Sequence, residues 1–413
     1  MTTEQAARAT FRDVFAIAEF RALWLAQLLS VAGDQLARVA LTVLVYDRTR
    51  SALLAAITFV ASVVPTFVGG VTLAWLADRY PRRAVMIACD LMRCALVLVM
   101  AIHGMPVAAM VVLLFVVTLV SAPFTSARAA IYPDVLDGDR YVVGTAVTMI
   151  TNQFAQVIGF AAGGAIAGLL GTGQALLLDA LTFAASALIV RAFVLNRPPP
   201  GSLVSANTGR RGFAPRQNRL GSAVRLVFGN PVLRTSMLFG WLAAFYNSPE
   251  GVVTPLAHSL GGGATAVGVI LAAQALGETC GALVFSRFVA PARRLRLMGP
   301  MAIASCVLLL LFGFRPGLTG TLVLLCLSGL CASYQLAANA AFVSATPHDR
   351  RSQAFGLAQG GMSFGQGTVM IIAGAAAGAM HPAAIIAVCG GIGSLAAVAL
   401  AGSWSHRGAS GQL

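Results

Sequence analysis

The sequence predicts an all-α integral membrane protein with twelve transmembrane helices in two six-helix bundles. Three observations carry this expectation. Hydrophobic residues make up 58% of the 413-residue chain and charged residues only 10%, whereas a soluble domain carries roughly 25% charged residues. The apolar residues come in blocks of about 20, the length a helix needs to cross a hydrocarbon core of about 30 Å. The blocks lack the period-two alternation of barrel strands. A backbone deprived of water must then close its own hydrogen bonds as a helix. Finally, the basic residues fall between the blocks and mostly on one side.

In chain order the spans are expected at 22–46, 53–77, 84–103, 106–129, 142–170, 174–195, 232–258, 264–288, 297–314, 318–345, 353–378 and 382–404. Residues 1–195 form the first bundle and 232–413 the second. Between them, residues 196–231 hold Pro198, Pro199, Pro200, Gly201 and an arginine-rich run (Arg210, Arg211, Arg216, Arg219, Arg225). That composition reads as a flexible cytoplasmic linker. The N-terminus is polar until about Phe20, and the first apolar block is too long for a signal-peptide core.

The formal net charge is +14, and every basic residue is arginine. Nucleic acid is one partner that such charge suggests, but its placement argues against it. With the N-terminus inside, the cytoplasmic segments hold Arg8, Arg12, Arg21, Arg79, Arg82, Arg83, Arg128, Arg140, Arg191 and the linker group. They also hold Arg197, Arg234, Arg287, Arg293, Arg294, Arg296, Arg350, Arg351 and Arg407, while the outer loops hold only Arg48, Arg50 and Arg315. The positive-inside rule then puts both termini in the cytoplasm. Trp24, Trp75 and Trp404 stand near span ends, where belt residues sit. The seven cysteines lie within apolar blocks without CxxC spacing and read as small packing residues.

The two halves resemble each other. Asp78-Arg79-Tyr80-Pro81-Arg82-Arg83 follows span two, and Arg287 with Arg293-Arg294 follows span eight. Repeated halves recur in transporters that rock one bundle against the other around a midplane site. The loop after span two resembles the signature Gly-x-Leu-Ala-Asp-Arg-x-Gly-Arg-Arg of the major facilitator superfamily, with Ala74 and Pro81 in place of its two glycines. The segment from Ala127 to Gly171, followed by Asp179-Ala180-Leu181-Thr182-Phe183, is similar to the bacterial exporter branch that contains macrolide and siderophore exporters. The resemblance implies the major facilitator fold in a bacterial cytoplasmic membrane. It also implies a conformational latch at Asp78, Arg79, Arg82 and Arg83. Antiporters of the superfamily often carry Gly-Pro-x-x-Gly-Gly in span five. Here Gly159-Phe160-Ala161-Ala162-Gly163-Gly164 keeps the glycines and lacks the proline.

Charge inside a bilayer costs about 2.5–3.5 kcal/mol per group even on the insertion scale, so each such residue marks a candidate site. Span one places Gln27, Asp34 and Arg38 on one helical face. Asp34 is either a proton-titrating or substrate-facing carboxylate tuned by Arg38, or one half of a fixed Asp34–Arg38 bridge. Span seven offers Tyr246, Asn247 and Glu250 beside Pro249 and Pro255; span eight offers Gln274 and Glu278. These acids either serve a cavity or proton role or are bonded across to other helices. Span five aligns Asn152 and Gln156, span ten carries Gln335 and Asn339, and span eleven Gln359. Such stripes line cavities or make interhelical hydrogen bonds. Asp90 and Arg93 read as a local i,i+3 pair, and Asp179 as a packing anchor.

No HExxH pair, Walker loop or GxSxG elbow occurs, so neither an enzyme nor a metal site is expected. No cofactor is expected either, and an ion gradient, most simply of protons, is the energy source. The first reading is a proton-coupled exporter of amphipathic small molecules such as drugs, antibiotics, siderophores or other metabolites. The second is a metabolite importer or facilitator, and the third a lipid flippase or a non-transporting sensor. The expected partners are a small-molecule substrate, protons and membrane lipids. A monomer is expected, because one chain holds both halves.

Overall fold

The computed structural model describes residues 10–73, 75–197, 219–347 and 350–409, and no strand occurs among them. The helices are α1 (Phe11–Phe15), α2 (Ala18–Thr49), α3 (Ala52–Ala61), α4 (Val64–Thr72), α5 (Leu76–Arg79), α6 (Arg82–Met100), α7 (Val107–Val135), α8 (Asp139–Leu169) and α9 (Thr172–Phe193). They continue with α10 (Arg219–Gly229), α11 (Pro231–Trp241), α12 (Ala243–Tyr246), α13 (Ser248–Gly251), α14 (Val253–Ser259) and α15 (Ala264–Phe288). Last come α16 (Pro291–Leu310), extended by a 3-10 turn, then α17 (Leu318–Ala332), α18 (Tyr334–Ala345), α19 (Arg351–Ala376) and α20 (Pro382–Ala409).

These helices make the twelve passes: α2, α3–α4, α6, α7, α8, α9, α11–α14, α15, α16, α17–α18, α19 and α20. Among the described residues, eight passes are long and apolar enough to span a membrane on length and composition alone. The other four are α6, α8, α11–α14 and α19. They carry Asp90 and Arg93, Asn152 and Gln156, Tyr246 to Glu250, and Gln359. Polar groups at membrane depth need protein or water beside them, so the less apolar passes are where a site is to be sought.

The seventh pass is broken where its prolines fall. Pro249 and Pro255 have no N–H to donate one turn back. The chain leaves helical geometry at Asn247 (φ −90°, ψ 3°) and Val252 (φ −123°, ψ 15°). Glu250 N bonds to Asn247 O at 3.1 Å, a tighter 3-10 closure. The tenth pass breaks at Ser333, between α17 and α18.

The chain forms two compact units. The first is Met1–Ala40 with Pro65–Gly209, and the second is Leu41–Val64 with Arg210–Leu413. The C-terminal end of α2 and all of α3 therefore belong to the second unit. Asp47 of α2 lies 3.2 Å from His258 of α14, and the Tyr46 and His258 rings are 4.9 Å apart. Helix α10 occupies the end of the stretch read as a linker, and residues 198–218 of that stretch lie outside the described residues.

Small residues set the helix spacing in each unit. In the first, a Cβ on Gly163 of α8 would stand 2.8 Å from the Leu36 Cα of α2. In the second, Gly277 and Gly281 face Cys326 and Leu330 of α17, and a Cβ on Gly277 would collide with the Cys326 carbonyl oxygen. Gly277 and Gly281 form a Gly-x-x-x-Gly pair, the spacing that lets two membrane helices approach closely. Two side chains differ from their sequence expectation. Trp404 is only 7% exposed and packs edge-on to Phe239, ring centroids 6.4 Å apart, rather than standing in an interfacial belt. Arg128 is 6% exposed inside α7 with its guanidinium 5.7 Å from the Tyr132 ring, rather than lying in a cytoplasmic turn.

Candidate functional site

The first unit holds a charged cluster built from three helices. Helix α2 contributes Ser30, Gly33 and Asp34; α6 contributes Asp90 and Arg93; α9 contributes Asp179, Thr182, Phe183 and Ser186. Arg93 lies at its centre, 1% exposed, with its guanidinium carbon 4.0 Å from the Phe183 ring centroid. Its Nη2 donates to Asp34 Oδ1, its Nη1 donates to Ser30 Oγ at 2.9 Å, and Nη1 lies 3.8 Å from Asp90 Oδ1. Ser186 Oγ donates to Asp90 Oδ2 at 2.6 Å. Asp179 is 1% exposed and its Oδ2 has no hydrogen-bond partner among the described residues.

Gly33 makes room for this cluster. A Cβ there would overlap both Asp179 Oδ1 and Thr182 Oγ1. Asp179 therefore docks against α2 one residue from Asp34, within electrostatic reach of both Asp34 and Arg93. The three carboxylates differ in access. Asp90 and Asp179 are sealed in, while the Asp34 side chain is 31% exposed.

Sequence reasoning singled out Asp34 and set Arg38 beside it. The structure gives Asp34 an ion pair with Arg93 from another helix, and Arg38 stands 5.9 Å from the Phe160 ring centroid. Asp90 and Arg93 do sit as an i,i+3 pair, but Arg93 is shared across helices. Asp179 also joins the cluster. The sequence signal for both is intramembrane charge, which spacing along one helix accounts for locally as an i,i+3 pair and a packing anchor. A line of amides extends from the same face of α2: Gln27 Nε2 donates to Asn152 Oδ1 at 3.0 Å. Gln156 lies one turn farther along α8.

The second unit holds a polar network of different character. Gln274 Nε2 donates to Asn247 Oδ1 at 2.6 Å, and Glu278 lies one turn farther along α15. Gln335 Nε2 donates to the Tyr246 hydroxyl at 3.1 Å and to Gly240 O at 3.0 Å. Tyr246 is 4% exposed and within electrostatic reach of Glu278 and Glu250. The breaks around α12 and α13 aim this chemistry inward, because the interrupted backbone turns Tyr246 and Asn247 toward α18 and α15. Nearby, a cavity of about 90 Å³ is lined by Ser236, Trp241, Gln335, Asn339, Phe355 and Gln359. Three residues from the polar stripes of the sequence thus meet around one cavity with aromatic walls.

The turn between the second and third passes is partly described. Arg82 Nη1 donates to Asp134 Oδ2 at 2.6 Å and to Ala130 O at 2.8 Å, and Arg83 Nη2 donates to Arg191 O. These contacts tie α6 to the ends of α7 and α9. Arg79 is exposed at the end of α5, and the Asp78 side chain lies outside the described residues.

The first unit thus gathers three carboxylates around one guanidinium, and the second gathers amides, a phenol and aromatic rings. Comparison with known proteins agrees with a transport fold. The chain is similar to a bacterial homologue of the human lysosomal transporter Spinster in an inward-facing, unoccupied conformation (TM-score 0.64, 15% identity, 96% of each chain covered). It is similar to the nucleoside transporter NupG (TM-score 0.67, 17% identity, 92% of this chain and 98% of that one). It is also similar to the POT family transporter PepTSo (TM-score 0.70, 14% identity, 96% and 99%). No curated protein sequence matches significantly. At these identities the solved structures establish the fold alone. The family model of the Major Facilitator Superfamily matches residues 23–253 and 251–410. The chain belongs to the major facilitator superfamily and is a membrane transporter, not an enzyme.

Proposed function

We propose that this transporter exports amphipathic small molecules by proton antiport, with Asp34 as the coupling carboxylate. The observation that carries the reading is the convergence of Asp34, Asp90 and Asp179 on Arg93. Even with Arg38 counted, acids outnumber cations three to two. In a low-dielectric interior a surplus negative charge is expensive, so uptake of a proton lowers the local charge. Asp34 is the acid of the cluster whose side chain is partly exposed, at 31%, and this access supports assigning it the coupling role. Protonation of Asp34 weakens its hold on Arg93. That gives a local event which a helix-scale rearrangement of α2 against α6 can follow.

The substrate class follows from the second unit. Gln335, Asn339, Gln359 and Tyr246 supply hydrogen bonds, and Trp241 and Phe355 supply apolar surface. Such a surface suits drugs, antibiotics, siderophores or other metabolites with both characters. The arginine distribution favours a cytoplasmic membrane with both termini inside, and a monomer suffices because each chain holds both repeats. No nucleotide site is invoked. A proton moving down 100 mV supplies about 2.3 kcal/mol, enough for roughly a 50-fold substrate gradient at one-to-one coupling.

The test is flux in proteoliposomes under an imposed pH gradient, with a panel of fluorescent and antibiotic substrates, for the wild type and Asp34→Asn. Gradient-driven flux that collapses in the variant while downhill exchange survives supports the reading. Uphill export that persists in Asp34→Asn at every pH removes Asp34 from coupling. Flux indifferent to the gradient would make the protein a facilitator.

A further inference from the structure

We propose that the groove between α1, α2 and α9 is a binding site for one anionic phospholipid, with its acyl chain on the apolar floor and its phosphate on Arg21. The groove encloses about 410 Å³ and lies within the first unit. Its floor is Leu25, Ile189 and Phe193, and its wall is Phe15 and Trp24. Leu25 is 38% and Phe193 60% exposed, so this apolar surface is open to lipid.

The wall is firmly set. Phe15 packs edge-on to Trp24 with centroids 5.2 Å apart, and Trp24 Nε1 donates to Thr151 Oγ1 at 2.8 Å. Helix α1 is held in place by the fully buried Val14 and by a Thr10–Asp13 capping box. Arg21 is the charged residue that lines the groove. Its Nη1 donates to the carbonyls of Phe15 at 2.7 Å and Ala16 at 3.4 Å. These contacts fix the guanidinium at the rim without neutralising it. Among the described residues, Arg21 makes no ion pair with a carboxylate.

The nearby acids are already engaged. Glu19 is bidentate to Arg197 at 2.5 and 2.9 Å and accepts from Leu195 N at 3.0 Å. Asp13 accepts from Thr10 N at 2.8 Å and Thr10 Oγ1 at 2.7 Å. Arg191, in the last turn of α9, adds a further positive charge at the same end of the unit. An apolar slot with an unneutralised guanidinium at its mouth matches the amphipathy of a phospholipid. A free anion has no use for the floor, and a zwitterionic headgroup brings a cation beside its phosphate that offsets the attraction to Arg21. Basic pockets between transmembrane helices are the kind of surface that selects anionic headgroups.

The test is native mass spectrometry of the full chain in detergent. It would be titrated with phosphatidylglycerol or with phosphatidylcholine of the same acyl composition. The wild type is expected to bind the first about fivefold more tightly at this site. Arg21→Gln is expected to lose the preference and Arg21→Lys to keep most of it. Leu25→Trp, which fills the groove away from the α1 carbonyls, should weaken both lipids. Melting temperature in lipid-free detergent identifies any variant that fails to fold, and Leu25→Trp then decides the matter without touching Arg21. Equal binding of the two lipids by the wild type, an undiminished preference in Arg21→Gln, or unchanged binding in Leu25→Trp would each overturn the proposal. None of these readouts depends on transport.

Discussion

Arg93 of α6 donates from Nη2 to Oδ1 of Asp34 on α2, and the same guanidinium faces Asp90 on its own helix. A cation 1% exposed therefore fixes two helices at once. Removing one partner of a buried ion pair costs about 3–5 kcal/mol, because the other charge is left uncompensated. Arg93→Gln is expected to lower thermal stability in detergent by an amount in that range. Asp34→Asn should cost less, because the buried Arg93 keeps Asp90 at 3.8 Å and Asp179 within electrostatic reach. In the Arg93→Gln background, Asp90→Asn should restore part of the loss. A double-mutant cycle on melting data measures that coupling.

Gly277 faces the Cys326 carbonyl with no space for a Cβ. Gly277→Leu is expected to force α15 away from α17 and to destabilise the second unit by about 1–3 kcal/mol, the usual cost of overpacking. Gly173 provides the contrast. It has open space around its Cβ position and should accept alanine with little change. Thermal unfolding of the two variants side by side checks the difference.

Gln335 joins Tyr246 and the Gly240 carbonyl. Gln335→Leu would strand the Tyr246 hydroxyl and remove a donor from the small cavity. The expected result is a loss of about 1–3 kcal/mol of stability from the unpaired buried group and a raised KM for polar substrates. Apolar panel members should be affected less. Transport kinetics across the panel gives the split.

Arg82 pairs with Asp134 at 2.6 Å where both side chains are partly exposed. Exposed pairs contribute about 0–1 kcal/mol, so Arg82→Gln should leave the melting temperature nearly unchanged. A latch role would show instead as a changed transport rate in a variant of ordinary stability.

The Asp13 carboxyl is held below its ordinary value of 3.8, first by the Thr10 backbone N–H and then by the Thr10 hydroxyl. A depressed value means the cap's contribution is fully present above the ordinary value and is lost as pH falls through the lowered one. Hydrogen exchange of the α1 amides, corrected for intrinsic rates, should show protection at neutral pH that diminishes below about pH 4.

The sequence by itself determined the class of the protein and the number of its passes. Apolar blocks of spanning length leave the backbone one solution in lipid, and the prolines at 249 and 255 mark where the seventh pass breaks. It also supplied the individual polar residues: Asp34, Gln335 and Gln359 were legible because polar side chains at membrane depth need a reason. Only the tertiary structure decided their partners. Helical spacing links Asp34 to Arg38, four residues on, but it carries no sign of the ion pair between Asp34 and Arg93, 59 residues away. Asp179 enters the same cluster because Gly33 lacks a side chain, a relationship between helices that periodicity along one helix does not encode. Arg128 illustrates the same limit: a charge near a span end reads as a surface residue, and packing against Tyr132 buries it. Local pattern fixes which face of a helix is polar, whereas the contact between two faces is set by how closely their backbones approach.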